Sequence, residues 1–565
     1  MGVPTQKSDA PENMNELMGY FAGIGISRIY WIYDFEYLLG HGVADTKKTT
    51  LEWAVEAAHQ HGMQFFVQIR VFETGIGAAS LPHCITLPDD VPTLENLQGH
   101  SMQPHPFVIR HPQYRIQRRP GSYLKARGQI LKVIKLVKSD DQPTRLAEHN
   151  FEIWIGRING NLERYTGPRS YAENIEDRNG GKARVLTFSD LLIGADYPYI
   201  MVNCLLRDNK PDFRNYEDRL MELYDDNGTR IASLWDNGVY HRQTAMHRLR
   251  FSAFRLYGDF GKLDAYIPPE DYGTKPETMS FLFNTGHKLG LRALDGFNAC
   301  SPKDGHITHA KGKDEYLPGA LHPVYPEVRA FWLEWVRASI AAGADGVDIR
   351  ILNHSSWTHE KEEYGFNEPV LEAYRKKYGA AKPDEIPFAE IRKINGEYFT
   401  QFLREASREL HEHKLPLQAH VCSYLGNEER IRNCFNNYPY QFVFDWKRWL
   451  DEPILDSVLL KPPAASYVKD RIPEEDELNF LYQVAGLAHV KGKKVWFESR
   501  LPYNESIDNH PELETQIRKR IDLGWNNENI DGINLYEGNC ITWIDGKTGR
   551  IKGSETMRRI LASYR

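Results

Sequence analysis

The feature that most restricts the fold is a repeating order of amphipathic helix and short apolar strand, present at both ends of the chain and absent from its middle. Near the start, Asn15 to Gly23 reads as a helix and Ser27 to Tyr33 as a strand of β-branched and aromatic residues; Thr49 to His61 and Gln64 to Phe72 repeat the pair. After Pro323 the order resumes. Val328, Phe331, Trp332, Trp335, Val336 and Ile340 form a helical stripe, and Gly346 to Leu352 follows as a buried strand. Four further strands are predicted at helix-sized intervals: Leu417 to Cys422, Asp456 to Leu460, Lys494 to Glu498 and Gly532 to Glu537, with helices such as Gly396 to His413 and Asp476 to His489 between them. Strands separated by helices pair in parallel, so the predicted fold class is α/β, a (β/α)8 TIM barrel. Seven strands are found in this way. The eighth, third in order, is expected near the edges of the middle segment, which makes Gly346 to Leu352 the fourth.

Two strand entries echo each other. Gly343 to Ile349 and Asn529 to Leu535 share the form Asp-Gly-aliphatic-Asp/Asn-aliphatic, in which Asp-Gly turns the chain out of a helix into a strand.

The middle, from about Gly128 to Gly305, alternates or runs apolar over Gln129 to Lys138, Asn150 to Arg164, Arg184 to Ser189, Tyr199 to Leu206, Arg219 to Tyr224, His247 to Tyr257 and Met279 to Phe283. Turns such as Asn159-Gly160 and Asn179-Gly180-Gly181 separate these runs. The expected organisation is therefore a first barrel part over residues 1–127, an inserted antiparallel β-sandwich over 128–305 and a second barrel part over 306–565. A domain enters a barrel at little entropic cost when it joins at a surface turn.

The 565 residues are 41% hydrophobic and carry a formal charge of −7, with 70 Lys and Arg scattered rather than blocked. That argues against nucleic acid as a partner. No apolar run is long enough to span a bilayer, and the polar start after Met1-Gly2-Val3-Pro4 contains no apolar leader core. The expectation is a cytoplasmic protein as the chain stands, periplasmic or secreted if its start was trimmed, and without a membrane partner. A homo-oligomer is compatible with this composition. The six cysteines lie far apart with no metal-ligand spacing, which predicts free thiols and neither metal nor cofactor.

In a barrel, functional side chains sit at the C-terminal strand ends. Here those ends carry Asp34, Glu73, Asp348, Arg350, Asn353, His354, His420, Lys461, Glu498, Arg500, Asn534 and Glu537. Glycosidic hydrolysis needs two carboxyl groups flanking the sugar, one to protonate the leaving oxygen and one to attack or to activate water. Asp348 and Glu498, on strands expected to face each other, are the predicted catalytic pair. Asp34, Glu73, Arg350, Asn353, His354, His420, Trp446, Arg500 and Glu537 are the predicted substrate contacts, with Trp31, Trp357 and Trp446 as stacking faces. Rim ion pairs with Arg350 or Arg500 are the structural alternative for either acid, and His420 is read as a sugar hydroxyl partner, a core histidine or a metal ligand. Asn367-Glu368-Pro369 reads as an N-cap and first helical turn.

The runs His322 to Arg329, Asp345 to Arg350, Tyr364 to Pro369 and Asp445 to Leu460 resemble the loosely defined family 10 glycosylhydrolase-like barrel proteins of bacteria. The likeness extends over residues 12–75 and 320–545. It implies a poly- or oligosaccharide substrate, without a particular linkage. The chain departs from that pattern in placing Asp348 earlier than the usual second acid and Arg350 only two residues after it. Guanidinium groups at the site would suit an acidic sugar. Two alternatives stay open: a metal-dependent barrel isomerase or hydrolase using Asp34, Glu73, His354, His420 and Glu498, and a carbohydrate-binding protein without chemistry.

Overall fold

The computed structural model describes residues 11–32, 48–72, 111–122, 130–138, 140–158, 161–178, 181–197, 199–204, 221–231, 306–310, 316–352, 361–433, 439–463, 472–501, 511–536 and 551–564, with short stretches between them. Its main body alternates helices and strands: α1 (Pro11–Gly23), β1 (Arg28–Ile32), α2 (Thr50–Gln60), β2 (Gln64–Ile69), α3 (Pro326–Ala341), β3 (Gly346–Ile349), α4 (Glu368–Tyr378), α5 (Phe388–Glu412), β4 (Leu417–Cys422), β5 (Ser457–Lys461), α6 (Glu475–Val490), β6 (Lys494–Arg500), α7 (Glu514–Trp525), β7 (Gly532–Tyr536) and α8 (Glu555–Ala562).

The strands form one parallel sheet in the order β1 to β7. Its curl is visible in contacts across its inner face. A flat sheet would hold β1 about 14 Å from β4 and about 24 Å from β6. Instead the Tyr30 hydroxyl on β1 donates to Gln418 Oε1 on β4 at 3.1 Å, and the Tyr30 and Trp496 rings, on β1 and β6, lie 6.3 Å apart. One expectation is corrected. β2 pairs directly with β3, Val67 opposite Val347 and Gln68 opposite Asp348, so no strand separates them and Gly346–Ile349 is third. Among the described residues the sheet has seven strands, with β1 and β7 at its edges.

Alternation decides what each strand buries. Val67, Val347, Ala419, Val458 and Val495 point outward into one hydrophobic core shared with Trp332 of α3, Phe402 of α5, Leu481 of α6 and Ile517 of α7. Each Val, Leu, Ile or Phe among them, fully buried, stabilises the fold by roughly 1.5–3 kcal/mol. Trp31 belongs to this outer set, its ring 5.9 Å from Phe65 and buried, so it is a core residue and offers no stacking face. Glycines make room on the inner face. A Cβ on Gly346 would lie 2.6 Å from the Phe66 ring, and one on Gly532 2.4 Å from Trp496.

The echoed Asp-Gly entries have a structural reason. The Asp345 carboxylate accepts the backbone N–H of Phe65 on the neighbouring strand at 2.7 Å, and Asp531 accepts that of Val495 at 2.8 Å. Asp456, before β5, does the same for Leu417 at 2.8 Å. His59 lies 2.9 Å from Asp345, His411 2.9 Å from Asp456, and Lys494 pairs with Asp531 at 2.7 Å.

In the middle segment, and in His306–Ala310 just past its expected end, the pairings of the described residues are antiparallel. A five-stranded sheet runs Ser170–Arg178, Gly181–Ser189, Val133–Val137, Met221–Tyr224, Arg230–Ile231, and a four-stranded sheet runs His306–Ala310, Tyr199–Cys204, Phe151–Ile158, Asn161–Arg164. Ile134, Phe188 and Leu223 of the first share a hydrophobic cluster with Phe151, Ile153 and Val202 of the second. His247 to Tyr257 and Met279 to Phe283 lie outside the described residues. Among the described residues, no helix is long and apolar enough to cross a membrane.

Candidate active site

At the C-terminal half of the sheet the inner face is polar and buried. Gln68 (β2), Asp348 (β3), His420 (β4), Lys461 (β5) and Glu498 (β6) are each at most 3% exposed. Strand alternation places them there: they share the phase of Phe66, Gly346, Gln418, Ser457 and Trp496, two or four residues earlier on the same strands.

Two hydrogen-bonded groups make up the cluster. In the first, Asp348 Oδ2 accepts from Gln68 Nε2 at 2.8 Å and meets His420 Nε2 at 2.7 Å. Asp348 Oδ1, Gln68 Oε1 and His420 Nδ1 are buried with no hydrogen-bond partner. In the second, Lys461 Nζ donates to Glu498 Oε1. Burial by itself would raise the Glu498 carboxyl, but Lys461, His420 and Arg350 outweigh it and hold the group below the usual carboxylate range. Burial pulls the Lys461 ammonium down from its ordinary value, helped by Arg350 and Arg500 and opposed by Glu498. His420 and Arg350 thus link the two groups electrostatically.

Tyr536 at the end of β7 organises the cations. Arg350 Nη1 donates to its hydroxyl at 3.1 Å. The Arg350 and Arg500 guanidiniums lie 5.2 and 5.3 Å from its ring centre, and Lys461 Nζ lies 4.7 Å away, distances at which cation–π attraction acts.

Of the residues predicted from sequence, Asp348, His420, Glu498, Arg350 and Arg500 come together here. Trp446 starts the short helix Trp446–Asp451 and packs edge-on against Phe480, centroids 5.7 Å apart. Asp34, Glu73, Asn353, His354, Trp357 and Glu537 lie outside the described residues. Glu368 is the first residue of α4, with Asn367 at the N-cap, and it pairs with Arg375 in solvent. The Asn367 amide points the other way and donates to the Arg115 carbonyl at 2.7 Å. Gln68 and Tyr536 were missed as site members, and Lys461, named as a strand end, was given no role. The available signal was phase, since each occupies the inward register of an otherwise apolar strand.

Among the described residues, no group of three or more His, Cys, Asp and Glu side chains is placed to hold a metal ion.

No family model matches the chain, and no curated protein matches it. Among the solved structures it resembles are glycoside hydrolases. The catalytic domain of a β-amylase from Paenibacillus polymyxa is 12% identical, with 45% of this chain and 72% of that one covered and a TM-score of 0.28. The glycoside hydrolase domain of PgaB (BpsB) from Bordetella bronchiseptica is also 12% identical, over 40% and 60%, at 0.26. A β-galactosidase from Marinomonas ef1 is 10% identical, over 45% and 44%, at 0.28. The chain thus spans less than two thirds of the second and third. At these scores the likenesses carry no argument, and the reading of the site rests on its own geometry.

Proposed function

We propose that the protein is a glycoside hydrolase acting on a poly- or oligosaccharide, with Glu498 and Asp348 as its two carboxylates. One observation carries the reading: on the same inner face, three strands apart, Glu498 is held ionised by buried cations while Asp348 is hydrogen-bonded to an imidazole. An ionised carboxylate attacks an anomeric carbon or activates water, and the opposite side must deliver a proton to the leaving oxygen. Arg350 and Arg500 would bind a uronate or sulfated unit through their guanidinium forks. The middle segment is read as a β-sandwich inserted in the barrel.

The test is hydrolysis of a panel of neutral and acidic oligosaccharides by the wild type and by Glu498→Gln and Asp348→Asn. Each variant is expected to lose about 10²–10⁴-fold in kcat while still binding the substrate. Wild-type rates that both variants retain would refute the assignment, and turnover of neutral sugars alone would remove the acidic unit.

A further inference from the structure

Among the described residues of the main body, the fully buried histidines His322 and His420 differ in a way that bears on the proton. His322 is a satisfied core residue: its Nδ1 accepts the Val324 backbone N–H at 3.1 Å and its Nε2 lies 3.1 Å from Asn395 Oδ1. Both nitrogens are used and both partners are neutral. His420 is built otherwise. Its Nε2 lies 2.7 Å from a carboxylate that is itself 0% exposed, and its Nδ1, equally buried, has no partner.

The surroundings of Asp348 decide which group carries the proton. Its Oδ2 receives an amide N–H from Gln68 at 2.8 Å, a contact in which the carboxylate can only accept. The same oxygen lies 2.7 Å from His420 Nε2, the shorter of that nitrogen's two contacts, since the Gln68 amide nitrogen is 3.3 Å away; facing a carboxylate oxygen, Nε2 donates, so the acid form carries a hydrogen on each ring nitrogen and the neutral form left after donation is the Nε2–H tautomer. A carboxylate fixed as a double acceptor holds the ring it faces in one orientation. Glu498 is close enough to feel the charge of His420.

From this arrangement we infer that His420, through Nδ1, is the group that gives the leaving oxygen its proton, and that Asp348 is its positioning residue. The inference rests on the glycosidase reading above and reassigns one role within it. As the bond from the anomeric carbon to the glycosidic oxygen breaks, its electron pair stays on that oxygen, which takes the proton from Nδ1. His420 is left neutral with Nε2–H still bonded to Asp348. The water that completes hydrolysis adds its oxygen to the anomeric carbon and returns a proton to Nδ1, so one water is consumed per turnover.

The experiment compares aryl glycosides of decreasing leaving-group acidity in wild type, His420→Gln and Asp348→Asn. If His420 is the donor, His420→Gln loses about 10²–10⁴-fold with an alkyl or natural sugar leaving group and less than about tenfold with dinitrophenolate, which needs no proton. The double variant then loses little more than His420→Gln alone, because the two residues act as a unit. A loss in His420→Gln that is the same for every leaving group, beside a selective loss in Asp348→Asn, would make Asp348 the donor and overturn the inference while leaving the glycosidase reading intact. A wild type that cleaves no glycoside removes both. Nitrogen-15 NMR of the unmodified, histidine-labelled protein is independent of variant folding: at the pH of activity both ring nitrogens of His420 are expected to carry hydrogen, and a bare Nδ1 there would overturn the assignment.

Discussion

His322, Lys461 and Glu498 show how burial acts on single residues. Burial pushes the His322 imidazole down to about 3, against an ordinary value of 6.5. Between those values the unfolded chain binds a proton that the folded one refuses, so stability falls as pH drops from about 6.5 toward 3. His322→Gln, which keeps a donor and an acceptor but cannot take the proton, should show a shallower loss of Tm over that window; equal slopes would remove His322 as a cause. Lys461 acts in the opposite sense, since it holds its partner charged. Replacing it by Met leaves Glu498 buried and unpaired, a change that costs about 3–5 kcal/mol in comparable sites. With its main counter-charge gone, Glu498 should titrate at higher pH. The acidic limb of the pH–rate profile is then expected to move upward in Lys461→Met, and an unmoved limb would show that Glu498 is not the group observed.

Among elements, the strand entries are the repeating device. Asp345, Asp456 and Asp531 each occupy a backbone N–H on the preceding strand of the sheet, and Asp345 and Asp531 are followed by glycines that leave room for that strand's inward ring. Replacing any of the three by Ala leaves a backbone donor without its partner and should lower stability by about 1–3 kcal/mol in denaturant titration; a change near zero would show that water substitutes. Gly346→Ala should cost at least as much, because its Cβ meets Phe66 and Pro416. The seven strands of the parallel sheet were legible in the sequence to within a few residues at their ends, because buried parallel strands read as apolar runs between helical stripes. Their order was not. The eighth strand was expected third, whereas the direct pairing of Val67 with Val347 leaves no room for it there and depends on contacts no local pattern encodes. The strand Ser170–Arg178 was missed because Glu173, Asn174, Glu176 and Asp177 leave no apolar alternation to read. At the site, Asp348, His420 and Glu498 were legible as polar residues at strand ends, but the Gln68 and Lys461 contacts that give them their states were not, since they join residues far apart in the chain.

At the scale of the whole molecule, the hydrophobic residues fall into separate clusters, a large one in the α/β body and another in the antiparallel segment. Cooperativity follows shared packing, so calorimetry should resolve two transitions. Phe188→Ala, in the second cluster, should lower one of them, and Leu460→Ala, in the first, the other, each by about 2–5 kcal/mol; a single transition lowered by both would mean one cooperative unit. The lower end of the curled sheet has a consequence of its own. The Arg28 guanidinium lies 4.1 Å from the centre of the Phe66 ring and 4.0 Å from that of Trp496, a charged group wedged between two aromatic plates that the absent side chains of Gly346 and Gly532 allow to meet. That wedge fills the inner face at the N-terminal end of the strands, two residues below Gln68 and Glu498 on β2 and β6, so the polar cluster rests on a floor of stacked rings and guanidinium rather than on water.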